Sequence, residues 1–173
     1  MTMDLTLRYY GDPVLRKKTE KIEEFDDELE RLIEKMVEIM YAEDGAGLAG
    51  PQAGVSKSLF IEDDGTREGW KAYINPEIIE FSDDKDIAEE GCLSFPDLFE
   101  NVERAGSIRV RYQDPSGEEH EEDVTGYLAR IIQHETDHLN GVLFIDHLSK
   151  LKRRLLKKRL QSIKQIAKDS MRV

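Results

Sequence analysis

Two histidines four residues apart, with a glutamate beside the first, are the residues in this chain best placed to do chemistry. They form the run His134-Glu135-Thr136-Asp137-His138. On a helix, positions four apart share a face one turn apart, so both imidazoles can reach one ion. Glu135 then lies beside that ion, where a base for a metal-activated water belongs. The alternative is a pair of surface histidines on a polar helix. Ile131-Ile132 just upstream argues for a partly buried helix instead.

A two-histidine site needs a third ligand, and the only soft donor is Cys92, in Glu90-Gly91-Cys92-Leu93-Ser94. A lone cysteine is more often a small buried hydrophobe than a ligand. Here it coexists with two metal-type histidines and follows a glycine that leaves the backbone open. Three protein ligands leave a fourth position for water, which marks a catalytic site; a structural site is usually closed by four.

Three stretches together give the sequence a family likeness. GAGLAGPQ (45–52), EGCLS (90–94) and QHETDHLNG (133–141) resemble the three signature motifs of peptide deformylases, in the family's order. GDPVLR (11–16), NPEI (75–78) and FIDHLS (144–149) add lesser matches, so the likeness runs from Arg8 to Ser149.

That likeness implies a metal-dependent amide hydrolase that removes the formyl group from N-formylmethionyl nascent peptides, leaving formate and a free methionine amine. Cys92, His134 and His138 would bind one divalent metal, Fe2+ natively, with Zn2+, Ni2+ or Co2+ able to substitute. Glu135 would be the general base and later the acid. Gln52 and the backbone N–H of Leu93 would hold the developing oxyanion, a donor role whose loss typically costs ~10²–10³ in rate. Gln52 could instead be a loop residue capping a carbonyl. Ala46, Gly47 and Gly91 would pair with the substrate backbone as an added strand; Gly45 and Gly47 could equally serve a tight turn.

The chain departs from the family pattern at a few positions. Gly50 stands where a second Ala is usual, and Ala46 where a larger aliphatic is common. Tyr127 and Arg130 occupy positions that are usually apolar and help line the methionine pocket. A smaller loop residue widens a pocket, while Arg130 could close or charge it. Glu90 and Asp137 either pair with Arg104, since an unpaired buried charge is costly, or all three are solvated.

The elements that must position these residues read as α+β: short mixed or antiparallel strands around a central metal-binding helix, with N-terminal and C-terminal helices. Leu29, Leu32, Ile33, Met36, Val37 and Met40 make the apolar stripe of a helix over 27–41, with Asp26 or Asp27 as N-cap. GAGLAGPQAG (45–54) is too rich in Gly and Pro for regular structure and is expected to be a loop. Strand-like runs follow at Leu59–Ile61, Ala72–Ile74, Ile78–Phe81, Ile108–Tyr112 and about Glu119–Val124. Asp114-Pro115-Ser116-Gly117 should turn the last two into a hairpin. From about Thr125 the pattern is helical, with Leu128, Ile131, Ile132 and Leu139 on the apolar face and Asn140-Gly141 as the C-cap. A last helix starts near Leu148, with the stripe Leu148, Leu151, Leu155, Ile163 and Ile166 expected to pack on the body.

The bulk composition sets the remaining bounds. At 173 residues, with 39% hydrophobic and 36% charged residues, the chain suits one catalytic domain over 1–149 and a basic C-terminal helix over 150–173, packed on it or extending from it. A single cysteine rules out an internal disulfide. No apolar run approaches the ~20 residues of a membrane span. The opening MTMDLTLRYYGD lacks a basic region followed by an apolar stretch, so a cytoplasmic protein is expected, with neither membrane nor DNA as partner. Residues 150–173 carry ten Lys/Arg and one acid, +9, against −21 for the rest. Such asymmetry suits an anionic partner, and the ribosome near the exit of the nascent chain is the expected one. Pairing with the acidic body is the alternative.

Two other functions fit parts of the pattern. A metalloprotease also uses the two-His-plus-Glu helix, but usually takes a His or an acid as third ligand. A binding protein with a structural zinc would need a fourth ligand, for which His120 or His147 are the candidates. His147 follows the turn after the helix and is expected to pack with Phe144 and Ile145.

Overall fold

Asp26 starts the first helix by accepting the Leu29 N–H at 3.1 Å, and α1 runs Asp27–Ala42. Leu29, Leu32, Ile33, Met36 and Met40 form its buried face, with Val37 half-buried at the edge. In this computed structural model, residues 4–172 are described; residues 1–3 of the N-terminal stretch and Val173 at the tail's end lie outside them.

The main sheet has five strands in the order β1-β2-β3-β6-β7: β1 Gly47–Ala49, β2 Leu59–Glu62, β3 Lys71–Phe81, β6 Ser107–Gln113 and β7 Glu119–Thr125. All neighbours pair antiparallel. The alternation of side chains divides its core in two. Leu48, Leu59, Ile61, Ala72 and Ile74 face α1, whereas Ala49, Phe60, Tyr73, Val110 and Tyr112 face the second helix, α2 Gly126–Leu139, through Ala129, Ile132 and Leu139.

Three expectations about the strands need correction. The Gly/Pro-rich 45–54 stretch is not all loop: Leu48 and Ala49 pair with Ile61 and Phe60 as strand β1, and Gly50–Ala53 forms a 3-10 turn. Burial on both faces favours the strand despite its glycines. The runs 72–74 and 78–81 belong to one strand, bent at Asn75-Pro76, where the register shifts and Asn75 has φ +50°. The Asn75 side chain holds the bend by bonding both Ile22 N and Ile22 O at 2.8 Å. A second sheet has no counterpart among the expected strands. It is the hairpin of β4 Lys85–Cys92 and β5 Phe95–Ala105, which carries Cys92. Its exposed face includes Ile87 and acids, so period-2 alternation is weak there.

The hairpin has its own core. Phe95, Leu98 and Val102 pack with Leu15, Leu143, Phe144, Ile145, Leu148 and Ile163. Beyond α2, with Gly141 at φ +73° ending it as expected, come a 3-10 turn Phe144–His147, a short helix α3 Lys150–Leu155 capped by Ser149, and α4 Lys157–Met171. The expected apolar stripe of the tail is also corrected. Ile163 and Ala167 are buried and Leu156 and Leu160 half-buried, while Leu151, Leu155 and Ile166 are 62%, 72% and 41% exposed. At 100° per residue, Ile166 sits roughly 90° round α4 from the centre of the packed face, and Leu151 and Leu155 lie on the separate helix α3.

Arg16 fastens the N-terminal segment to this C-terminal part. It donates to Asp146 Oδ2 at 2.7 Å and Oδ1 at 3.1 Å, and Asp146 also accepts the Leu143 N–H at 2.9 Å. Burial pushes the Asp146 carboxyl up, but the Arg16 and Leu143 donors together hold it below the ordinary carboxylate value. A depressed carboxyl stabilises the fold above its unfolded pKa of about 3.9 and stops doing so as pH falls through its folded value. Asp146→Asn should therefore lower stability by about 1 kcal/mol at neutral pH, given partial exposure. The gap from wild type should close as pH falls below about 4, read by urea unfolding at several pH values.

Candidate active site

The three proposed ligands come from two elements that meet edge-on. Cys92 ends β4, and His134 and His138 lie one turn apart on α2. Their donor atoms all fall within 4.8 Å of one another, with Cys92 Sγ 3.4 Å from His138 Nε2. Both histidines are buried, and their rings meet edge to face at 5.1 Å. Glu90 accepts from His134 Nδ1 at 2.9 Å, which turns the other ring nitrogen toward the cluster. Burial and nearby cationic groups push His138 well below the ordinary histidine value, so its ring is neutral. One sulfur and two imidazole nitrogens, the histidine oriented from behind by a carboxylate, suit a divalent transition metal.

Glu135 is 4% exposed, and burial pushes its carboxyl up to about 7, with His134 opposing and Glu90 adding. Its Oε2 is buried with no hydrogen-bond partner among the described residues. A carboxylate tuned to near-neutral pKa and left with a free oxygen is suited to moving protons. Gln52, 1% exposed, is anchored by the Ala49 N–H donating to its Oε1 at 2.9 Å. Its Nε2 is thereby aimed at Cys92 Sγ, 3.4 Å, and Ser94 Oγ, 3.2 Å. Leu93 and Ser94 form the turn joining β4 to β5. Ser94, fully buried, closes the EGCLS motif two residues after Cys92, and a small hydroxyl at that place is its only sequence signal.

These groups open onto a cleft of about 600 Å3, lined also by Ala46, Gly47, Gly91, Phe99, Tyr127 and Arg130. Tyr127 and Phe99 are 60% and 59% exposed at its mouth. Phe99 gave no motif signal; its ring covers Gly91, where a Cβ would come 2.5 Å from Cε1. Arg130 does not charge the cleft: its guanidinium is buried and bound to Glu90, the Val102 carbonyl and Asp86. Gly50 does not widen it either, because a Cβ there would meet the Lys57 and Val55 carbonyl oxygens at 2.6 and 2.9 Å. Arg104 pairs with both Glu90 and Asp137, at 2.9 and 2.6 Å, rather than being solvated.

His147 is corrected: it bonds Asp137 Oδ2 at 2.8 Å instead of packing with Phe144 and Ile145. His120 bonds Asp114 Oδ2 at 2.7 Å beside the β6–β7 turn. Neither joins the donor cluster of Cys92, His134 and His138, so the closed four-ligand zinc site lacks its fourth ligand among the described residues.

The α+β fold and this cleft define a hydrolase of the metal-dependent type. Residues 5–154 match the polypeptide deformylase family, and the chain belongs to it. The chain is 52% identical over 162 residues to a peptide deformylase of Thermotoga petrophila, covering 94% of this chain and 98% of that one. The crystal structure of the Thermotoga maritima peptide deformylase superposes with a TM-score of 0.82 at 50% identity, covering 86% of this chain and 99% of that one. A Plasmodium falciparum peptide deformylase structure does so with 0.90 at 37% identity, covering 95% and 98%.

Neither Gly45 nor Gly47 has positive φ, so neither position needs glycine for a left-handed turn. A Cβ at Gly47 would lie 2.7 Å from Glu135 Oε1, and one at Gly45 2.6 Å from Leu93 Cδ1. Gly47→Ala should displace the Glu135 carboxylate while leaving the ligand atoms in place. Turnover should fall by up to roughly 10²-fold, the cost of an ångström-scale misplacement, with metal content unchanged. Metal analysis and steady-state kinetics on the same preparation check both halves.

Proposed function

We propose that this deformylase removes the formyl group from N-formylmethionyl nascent peptides, with Cys92, His134 and His138 holding one divalent metal, natively Fe2+. The convergence of those three donors beside a buried Glu135, whose Oε2 has no hydrogen-bond partner among the described residues, carries the reading. Zn2+, Ni2+ and Co2+ suit the same donors and can substitute. The ion would polarise the formyl carbonyl and lower the pKa of a water.

The chain's own groups do the rest. The peptide lies in the cleft as an added strand between Ala46-Gly47 and Gly91, its methionine side chain toward Tyr127 and Ile131. Glu135 takes a proton from the attacking water as its oxygen bonds to the formyl carbon, and the carbonyl electron pair moves onto the carbonyl oxygen. Gln52 Nε2–H, turned from Cys92, and the Leu93 N–H donate to that oxygen. Glu135 then delivers the proton to the amide nitrogen. The C–N bond breaks, giving the free methionine amine and formic acid, which ionises to formate.

Residues 4–149 form the catalytic body in this reading, working in the cytoplasm, and the tail binds the ribosome. Among the described residues no helix is long and apolar enough to cross a membrane. Some tail bases are already engaged: Lys152 pairs with Glu100 at 3.2 Å, and Arg159 donates to the Asp97 carbonyl at 2.6 Å. Arg153, Arg154, Lys157 and Lys158 remain exposed beside the outward Leu151 and Leu155, free to meet RNA phosphates.

Two experiments test this function. Glu135→Ala should retain metal and lose about 10²–10⁴-fold in deformylation of a formyl-methionyl peptide. Metal lost in step with activity would make Glu135 a ligand instead, and cleavage of an internal peptide by the wild type would point to a protease. Reversing Arg153, Arg154, Lys157 and Lys158 to Glu should abolish salt-sensitive co-sedimentation with ribosomes and spare deformylation. Unchanged co-sedimentation would show that the tail is not the anchor.

A further inference from the structure

Arg130 sits one turn before His134 on α2, on the same face as both histidines. Its side chain is 7% exposed, although an arginine is rarely enclosed without a reason in its partners. Among the described residues, all of its side-chain hydrogen bonds go to the hairpin that carries Cys92. Nη1 donates to Glu90 Oε2 at 2.6 Å and to the Val102 carbonyl at 2.9 Å. Nη2 donates to the Asp86 carbonyl at 2.7 Å and to Asp86 Oδ2 at 3.3 Å. One guanidinium thus grips β4 at two points and β5 at one.

The same carboxylate it grips orients His134. Glu90 Oε1 takes the His134 Nδ1 and Arg104 Nη2 at 2.9 Å each, and Oε2 takes Arg104 Nε at 2.9 Å with Arg130. Arg104 is on β5, within the hairpin, and its remaining Nη1 reaches Asp137. Arg130 and Arg104 therefore tie α2 to the hairpin from opposite directions.

We infer that Arg130 is a positioning residue for the metal centre: it fixes the Cys92 hairpin against α2 and locks the Glu90 carboxylate that orients His134. The inference rests on the three-ligand reading above. A flat fork with donors on two nitrogens can hold a carboxylate and two strand carbonyls at once. Lysine, a point charge, can keep Glu90 but cannot span the same set.

The test titrates the full chain with Co2+ against a chelator and records absorption from sulfur-to-cobalt charge transfer. Wild type should bind one Co2+ with that band. Absence of any such band in wild type would overturn the triad itself and this inference with it. Arg130→Met should weaken Co2+ binding about 10–100-fold, as loss of an orienting group behind a ligand typically does, and shift the band. Arg130→Lys should fall between and carries the test alone if Arg130→Met does not fold. Ile163→Val, which loosens the tail core away from the cluster, should lower thermal stability and leave affinity and band unchanged. Wild-type affinity and spectrum in the Arg130 variants, whatever their melting temperatures, would overturn the inference.

Discussion

A single buried carboxylate, Glu90, sets the terms for the architecture around the site. Burial pushes its carboxyl up, yet donors from Arg104 and His134 outweigh this and hold it well below the ordinary carboxylate range. It therefore stays charged in the interior, a state tolerable only when its oxygens are fully bonded. Two arginines and a histidine meet that demand, and each comes from a different place: β5, the start of α2 and the middle of α2. Satisfying the charge thus joins the hairpin to the helix in one register. Removing any one partner would leave buried charge uncompensated, which costs far more than the net worth of the contact.

The five-stranded sheet contributes rigidity to the same arrangement. Alternation sends Leu59 and Ile61 to α1 and Phe60 to α2, so β2 is buried on both faces. Helix α2 consequently lies against a sheet that cannot move without opening two cores. Close approach at Gly47 then brings β1 directly onto the Glu135 side chain. Glu135 needs an apolar, dry setting for its raised pKa, and backbone without a side chain supplies that setting while leaving Oε2 free.

The amphipathic elements were plain in the sequence for a physical reason: α1 and α2 bury one continuous stripe each, and periodicity reports such stripes well. The Asp26 cap, the 114–117 turn and the Gly141 stop follow from local chemistry and were equally legible. The convergence of His134 and His138 was legible because the two share a helix face. The β4–β5 hairpin was not, since Ile87 and Phe99 are exposed and the acids Asp86, Glu89, Glu90, Asp97, Glu100 and Glu103 break the period-2 alternation. Leu151, Leu155 and Ile166 failed as core residues because a stripe on a short, bent pair of helices has more than one apolar edge. Which edge packs is decided by Phe95, Leu15 and Phe144, more than ten residues away in sequence.

The departures from the family pattern teach the same lesson about partners. Read by position alone, Arg130 belongs to a pocket wall and should bring charge to it. Side chains on a helix lean toward its N-terminus, however, and Arg130 reaches past the wall to Glu90, Asp86 and Val102. Its charge is balanced by Glu90 and Asp86 where it arises. Gly50 similarly looks like a lost methyl, yet the carbonyls of Val55 and Lys57 occupy the place a methyl would take. In both cases the residue answers to a neighbour distant in the chain. A substitution at such a position should be judged by the group it meets, and at Arg130 that group is the carboxylate that orients His134.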